Sequence, residues 1–194
     1  MQSTLRPALV LFGALTLVCG VLYPLAVTGL GQILYPHQAA GSMIERDGIV
    51  VGSHLIGQSF TSPKYFWGRP SATAPMANNG AGSGGANLGP TNPAQIAAVK
   101  GRVEALKAAD PGNTLPIPVD LVTASASGLD PEISVAAARY QSGRVAAARG
   151  ISVARINTLV EQYSELQLAG VVGESRVNVL ALNLALDAQA ATAP

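Results

Sequence analysis

The longest apolar segment of the chain lies at its N-terminal end. No Lys, Arg, Asp or Glu occurs between Pro7 and Ile44, and the dense part, Ala8 to Leu30, is almost wholly apolar. A helix of about 20 apolar residues is long enough to cross the hydrocarbon core of a bilayer, and no later segment reaches that length. The pattern predicts a short tail over residues 1–6, a transmembrane helix over residues 7–34 and one folded domain over residues 35–194.

Charged residues beside the apolar segment indicate its orientation. Arg6 and the N-terminal amine precede it, whereas the charges of Glu45, Arg46 and Asp47 after it nearly cancel. Positive residues near a span tend to remain in the cytoplasm, so we expect a cytoplasmic tail and an extracytoplasmic domain. A cleaved signal peptide is the alternative. Its apolar region has only about 7–15 residues and ends at a small-x-small site, which this longer segment lacks near Tyr35.

Small residues recur along one side of the apolar segment. The positions that follow helical spacing are Gly13, Thr16, Gly20, Pro24 and Val27. In lipid, small residues allow close approach of helix backbones and mark packing faces between membrane helices. Glycine and proline are also common in membrane helices generally. The pattern therefore fits a contact face for partner helices and equally fits ordinary membrane-helix composition.

The first part of the domain has strand-like patterns. The segment Ile44–Val51 predicts a hairpin with Asp47-Gly48 as its tight turn, and Leu55–Phe60 is expected to continue the sheet. Three of the chain's few aromatic residues then stand together in Tyr65-Phe66-Trp67, close to Arg69. Aromatic residues beside an arginine often anchor interfaces. The alternative, which we favour, is that they are the scarce large residues of the core.

Helical patterns dominate the rest of the domain, after a Gly-, Asn- and Pro-rich loop over Ala74–Pro93. One helix is predicted from Pro93, capped by Asn92, to a point before Asp110. A second is expected to open at Asp130-Pro131 and to end at Gly150. The apolar stripe of the first helix comprises Ile96, Val99, Val103 and Leu106.

Two further elements close the chain. A helix is predicted to begin at Ser152, with Val153, Ile156, Val160 and Tyr163 on one face. The segment Val177–Asp187 is apolar nearly all round, which favours a buried helix, although its alternating leucines would also suit a strand. The fold class predicted from these elements is α+β, with one N-terminal transmembrane helix and one mixed domain.

Composition excludes several classes of function. The net charge of +1 provides no basic surface for nucleic acid. The only cysteine, Cys19, lies inside the apolar segment, so the domain has no disulfides. His37 and His54 stand without the three or four convergent ligands that a metal site needs, and we expect no metal.

Motifs that carry chemistry are weak. The stretch Gly80–Asn87 lacks the Lys and Ser/Thr spacing of a P-loop, and no G-x-S-x-G elbow occurs. A membrane-tethered hydrolase that uses His54 is therefore an alternative that no sequence motif supports. Three carboxylates, Asp120, Asp130 and Glu132, could form a group, but helix-start positions explain two of them. Arginines recur every five residues, a step of about 140° on a helix, so they make only a weak phosphate cradle: Arg139, Arg144 and Arg149.

Short segments in a fixed order add a more specific indication. The matching segments are Leu55-Ile56-Gly57-Gln58, Tyr65 to Ala72, Ser83 to Leu88, Pro118 to Leu129, Gln141 with Arg144-Val145-Ala146, and Val177-Asn178-Val179 with Leu182-Asn183. Through them the chain resembles the KdpC family, a component of the bacterial Kdp potassium-transporting ATPase, over nearly its whole length. Two departures are Ala86, where the family usually has Ser, and Ser142-Gly143 after Gln141. The alanine at position 86 puts in doubt any role for a side-chain hydroxyl at that position of the Gly-rich loop.

The resemblance implies a complex in the cell inner membrane with three partners: a channel-like potassium-translocating subunit, a P-type ATPase subunit and a very small membrane subunit. It implies an assembly and stabilising role, and that of a catalytic chaperone raising ATP affinity. The chain lacks the Asp-Lys-Thr-Gly signature, so we expect a non-catalytic subunit with no cofactor of its own. ATP contacts would be Gln141, Ser83, Gly84, Gly85 and Asn87. Partner contacts would be Gly13, Thr16, Gly20 and Pro24 in the membrane, and Tyr65, Phe66, Trp67 and Arg69 in the domain.

Overall fold

One continuous apolar helix forms the N-terminal part of the protein. The computed structural model describes residues 4–165, 167 and 172–191. Helix α1 (Leu5–Leu17) passes through a π-helical turn (Val18–Leu22) into α2 (Tyr23–Leu34). Among the described residues, only this helix is long and apolar enough to cross a membrane. None of its residues is buried within the chain, so its apolar side chains are available to lipid and to other helices.

A short helix and a hairpin follow the apolar helix. Helix α3 (Pro36–Ala39) leads into strands β1 (Met43–Arg46) and β2 (Ile49–Ser53), which form a two-stranded sheet. The predicted hairpin is confirmed. Its two-residue turn has positive φ angles of 54° at Asp47 and 76° at Gly48, as a tight hairpin turn requires. The chain divides into two compact units between Val51 and Gly52.

The second unit mixes four helices with a small antiparallel sheet, in agreement with the predicted α+β class. Its sheet has the strand order β3-β5-β4, with Ile133 of β3 and Ser164 of β4 both opposite Val177 of β5. The elements are α4 (Pro93–Ala109), a 3-10 turn (Val119–Leu121), β3 (Glu132–Ser134), α5 (Val135–Arg149), α6 (Val153–Gln162), β4 (Ser164–Glu165), β5 (Arg176–Asn178) and α7 (Val179–Ala191).

The core of the second unit lies between the aromatic segment, the sheet and helices α5, α6 and α7. Its largest fully buried side chains are those of Phe66, Ile156, Leu182 and Leu186. The interpretation of the three aromatic residues as core residues is confirmed for Phe66, whereas Tyr65 and Trp67 are half-buried. Two predicted helix starts are also confirmed, because Asn92 accepts a hydrogen bond from Ala94 N–H and Ser152 accepts one from Arg155 N–H.

Three predicted elements differ from the structure. Leu55–Phe60 forms no strand; it runs as a loop held by the bond from Gly57 N–H to Leu129 O. No helix opens at Asp130, because Ile133 pairs with Val177 in the sheet and Ser134 caps the helix instead. Val177 and Asn178 belong to β5, so the last helix begins at Val179.

Two helix faces are narrower than predicted. Ile96, at the start of the stripe on α4, is 56% exposed, whereas Leu106 is buried. On the α6 face, Val153 and Tyr163 are exposed, while Ile156 and Val160 are buried. In both cases the buried residues lie where the helix meets the core, and the ends extend beyond it.

Candidate functional site

Two buried carboxamides hold the aromatic segment, Tyr65–Trp67, against the helices. Asn183 of α7 accepts a bond from Phe66 N–H (2.9 Å) and donates one to Phe66 O (3.0 Å). Gln141 of α5 accepts from Trp67 N–H (2.8 Å) and donates to Trp67 O (3.1 Å). Each amide thus bonds one residue as an adjacent strand would. The segment is fixed although it belongs to no sheet.

A buried guanidinium completes this arrangement. Arg144 donates from Nη1 to Pro63 O (2.6 Å) and Tyr65 O (3.1 Å), and from Nη2 to Gln141 Oε1 (2.7 Å). Its Cζ lies 4.1 Å from the centroid of the Trp67 ring, a cation–π contact. Burial lowers the pKa of Arg144 to about 10. The group therefore remains charged at neutral pH and supplies a fixed positive charge behind Trp67.

Tyr65 is held by a separate ion pair. Its hydroxyl donates to Asp187 Oδ2 (2.9 Å), and Arg149 Nη2 lies 2.8 Å from Asp187 Oδ1. Arg149 also donates from Nε to Lys64 O (2.7 Å). Desolvation by burial, and then the hydrogen bond to Asp187, raise the pKa of Tyr65. The aromatic segment is therefore anchored on helices α5 and α7 at each of its three residues.

The three predicted carboxylates lie together in the lining of one open groove of about 530 Å³, but each is already bonded. Asp120 accepts from Ser134 N–H (2.7 Å) and Asp130 from Arg69 Nη1 (2.9 Å). Glu132 accepts from Arg176 Nε (2.9 Å). Each carboxylate therefore serves an ion pair or a backbone bond.

The predicted arginine cradle does not converge. Arg139 lies 3.4 Å from Glu161, Arg149 pairs with Asp187, and Arg144 bonds Gln141 and backbone carbonyls. Arg144 and Arg149 both contact Tyr65, the first through the Tyr65 carbonyl oxygen (3.1 Å) and the second over the Tyr65 ring (5.1 Å to the centroid). Arg139 pairs with Glu161 instead, so the three guanidinium groups do not form one phosphate site.

The Gly-rich loop is ordered by contacts with the segment Ser125–Gly128. Gly84 N–H and Ser83 Oγ both donate to Ser127 O, at 2.9 and 3.1 Å. A Cβ atom at Gly85 would lie 2.8 Å from Ala126 O. Gly128 has a φ of 68°, which favours glycine. Gly85 and Gly128 are therefore required where these two backbones lie closely side by side.

The residues predicted to bind ATP lie in different surroundings. Gln141 is 1% exposed, with both polar side-chain atoms bonded to Trp67, whereas Ser83 and Asn87 are exposed. Gly84 and Gly85 are half-buried. Within the described residues, no hydrogen bond or ion pair joins Gln141 to the loop. Binding ATP through Gln141 would require its amide to release the backbone of Trp67.

The predicted membrane contact face is interrupted. A Cβ atom at Gly13 or Gly20 would meet nothing within 4 Å, so both positions are open to a neighbouring helix. The π-helical turn Val18–Leu22 lies between Thr16 and Pro24. A π-helical turn follows an i→i+5 pattern. Small residues before and after the turn are therefore offset about the helix axis.

The structure gives a side-chain contact for His37 and a backbone contact for His54. His37 Nε2 lies 3.2 Å from Met43 O, and the backbone carbonyl of His54 accepts a bond from Asn178 Nδ2 (2.9 Å). In the part of the chain that the structure describes, no three His, Cys, Asp or Glu residues lie close enough to hold a metal ion.

The sequence order of these features matches a known family. The family model for KdpC, described as the K+-transporting ATPase c chain, matches residues 5–188. The chain belongs to the KdpC family. The match includes the apolar helix, the aromatic segment, helix α5 and most of helix α7. It confirms the resemblance seen in the sequence.

Individual KdpC proteins match over nearly the full length. The potassium-transporting ATPase KdpC subunit of Janthinobacterium sp. (strain Marseille) is 64% identical over 187 residues, covering 96% of this chain and 99% of the relative. The subunit of Herminiimonas arsenicoxydans is also 64% identical, covering 96% and 98%. That of Methylococcus capsulatus is 61% identical, covering 97% and 99%. The similarity therefore includes the apolar helix and the folded domain alike.

The sequence did not predict the clamp of this KdpC chain, which consists of the buried amides of Asn183 and Gln141 bonded to the backbones of Phe66 and Trp67. Asn183 is a polar residue inside a mostly apolar helix, and Gln141 is a polar residue on an Ala-rich one. Buried amides need partners, so their positions indicate a bonded segment. Nothing local to either amide indicates which segment that is.

Proposed function

We propose that the protein is the accessory subunit of an ATP-driven, high-affinity potassium import pump. It assembles and stabilises a channel-like subunit, a P-type ATPase subunit and a very small membrane subunit. The observation that carries the proposal is the family match over residues 5–188. It is supported by the apolar helix Leu5–Leu34, none of whose residues is buried by the rest of the chain.

Co-purification tests the assembly role. We expect the chain, extracted in mild detergent, to co-elute with the two large subunits, and its deletion to abolish growth at micromolar potassium. Gly20→Leu places a bulky side chain on the predicted contact face and should reduce recovery of the partners. Leu15→Ile, a volume-conserving change off that face, is the control. Elution of the unmodified chain alone, with normal growth of the deletion strain, would refute the role.

The proposed topology has a cytoplasmic N-terminus and an extracytoplasmic domain in the inner membrane. Its support is the distribution of charge around the apolar helix, with Arg6 before it and balanced charges after it. Replacing Cys19 by Ser and Ser83, an exposed loop residue, by Cys provides one labelling site. We expect an impermeant maleimide to label intact spheroplasts. Labelling only after lysis would place the domain in the cytoplasm.

The proposed chaperone role is to raise the ATP affinity of the hydrolytic subunit through protein contacts. Gln141, the nucleotide contact that the resemblance implies, is buried and bonded to Trp67, which favours an indirect effect. We expect half-maximal ATPase activity to require more ATP when this chain is removed from the complex. Saturable binding of labelled ATP to the purified chain, lost in Gln141→Ala, would instead establish direct binding.

A further inference from the structure

A second open cavity, which shares Arg69 with the carboxylate groove, lies beside the aromatic segment. It has a volume of about 260 Å³ and lies between helix α4 and the segments around residues 58–61 and 67–71. Its apolar walls come from Phe60, Trp67, Leu106 and Leu121. Trp67 and Arg69 of its lining are among the partner contacts that the resemblance implies, whereas Arg102 of the lining has a bond to the backbone of Val122.

The wall formed by Trp67 is held in place from three sides. The indole N–H donates to Ser62 O (3.0 Å), the backbone is bonded to Gln141, and Arg144 stacks on the ring at 4.1 Å. Leu106 and Leu121 are both buried in the core. The cavity therefore has a preformed shape rather than one that depends on mobile side chains.

Charge in the cavity is of one sign. Its lining includes Arg69 and Arg102 but no Asp or Glu. Arg69 is balanced by Asp130 at 2.9 Å. Arg102 donates from Nη1 to Val122 O (2.9 Å) and forms no ion pair with any residue that the structure describes. A half-buried guanidinium without a carboxylate favours an anionic partner, since charge-assisted bonds are about twice as strong as neutral ones.

Size restricts what that partner can be. Pockets for small-molecule ligands usually measure about 300–1,000 Å³, and this cavity of about 260 Å³ is smaller. It is large enough for one side chain. A carboxylate on a short aliphatic stem matches both features, since the stem can pack on Trp67 while the carboxylate faces Arg102.

We propose that the cavity receives a glutamate or aspartate side chain from a loop of a partner subunit. The inference rests on the proposed function, which supplies the partner, and it names the chemistry of one contact. Aromatic and arginine residues in a preformed pocket are the usual composition of interface hot spots. Arg102 is therefore expected to be one of the residues that determine affinity for the complex.

Substitution in the full complex tests the proposal. We expect Arg102→Glu to lower recovery of the partner subunits by roughly tenfold, and Arg102→Gln by less, because reversal adds repulsion to the lost pair. Lys100→Gln, an exposed change on the same helix, should leave recovery unchanged. Thermal unfolding of each full-length variant in detergent checks that losing the Val122 bond has not unfolded the chain. Undiminished recovery of a folded Arg102→Glu variant would overturn the inference.

Cross-linking identifies the occupant. A photo-reactive benzoylphenylalanine at Ser59, an exposed residue of the cavity lining, should cross-link to a partner peptide that contains Asp or Glu. Changing that acid to Lys should restore recovery of Arg102→Glu. Cross-links only within this chain, or protection of Ser59 by ATP, would overturn the inference in favour of an empty or nucleotide-filled cavity. Failure of the unmodified chain to co-elute would refute the proposed function itself, and with it this contact.

Discussion

At the scale of single residues, the clamp on the aromatic segment depends on groups that cannot be replaced by apolar ones. Asn183 and Gln141 are almost wholly buried, and they satisfy both backbone groups of Phe66 and of Trp67. Removing one partner of a buried hydrogen bond leaves the other unsatisfied. These amides therefore contribute more to stability than their small apolar contact area suggests.

We expect Asn183→Ala to lower the free energy of unfolding by about 2–4 kcal/mol, because Phe66 N–H and C=O lose their partners inside the core. Denaturant unfolding of the full chain in detergent measures this. Asn157→Ala is a matched control, since the buried Oδ1 of Asn157 has no hydrogen-bond partner among the described residues and its loss should be neutral or stabilising. Equal effects from the two changes would show that the clamp adds no stability.

The raised pKa of Tyr65 predicts a dependence of stability on alkaline pH. A tyrosine whose pKa is higher in the folded state binds more protons there. It therefore stabilises the fold below the unfolded pKa of about 10, and this contribution is lost as pH rises through the folded value. Tyr65→Phe should make the fall in melting temperature between about pH 9 and pH 11 less steep. The slope should not become zero, because the pKa of Tyr140 is also raised.

Tyr163→Phe provides the control for this measurement. Tyr163 is 41% exposed, so Tyr163→Phe measures the effect of removing a tyrosine hydroxyl from the surface of the domain. A Tyr65→Phe slope equal to that of the unmodified chain would show that neither burial nor the Asp187 bond raises the pKa of Tyr65 in solution.

At the scale of elements, the long loop over residues 74–93 is fixed by close approach to Ser125–Gly128 rather than by secondary structure. We expect Gly85→Ala to destabilise the protein by about 1–3 kcal/mol, since its Cβ would press on Ala126 O. Gly84→Ala is the control, because a Cβ there would meet nothing within 4 Å. Thermal unfolding and the rate of proteolysis in the loop measure both. Equal cleavage rates for the two variants would contradict the packing argument.

The elements that were predicted correctly are those specified by local sequence. Asn92 and Ser152 indicate the starts of their helices because a cap acts within three residues. The misplaced helix start at Asp130 has a different cause, since β3 exists only through pairing with β5, more than 40 residues away. Gln141 likewise bonds Trp67 across a separation of 74 residues. Local patterns therefore predicted the helices of the domain, two of them with the wrong start, and the burial of Phe66, but could not predict the partners of the aromatic segment.

At the scale of the whole molecule, the hydrophobic core lies entirely in the second unit. The described core residues run from Phe66 to Leu186, and the division between units falls at Val51–Gly52. A polypeptide of residues 52–194 should therefore fold without the apolar helix. We expect it to be monomeric without detergent and to unfold cooperatively by far-UV circular dichroism. Aggregation, or a melt without a transition, would show that the domain needs the first unit.

The π-helical turn sets the angle about the helix axis between the two halves of the apolar helix. A π turn arises from the gain of one residue in a helix, so deleting one residue of Val18–Leu22 should restore regular α-helix. The two halves would then keep nearly the same angular relation, because the wider turn already absorbs the extra residue. One alanine inserted after Leu22 should instead rotate the first half by about 100° and shift it by about 1.5 Å along the axis. If partners contact both halves, this insertion should release them while the chain remains in the membrane. Recovery of the intact complex would mean that partner subunits contact only the half after the turn.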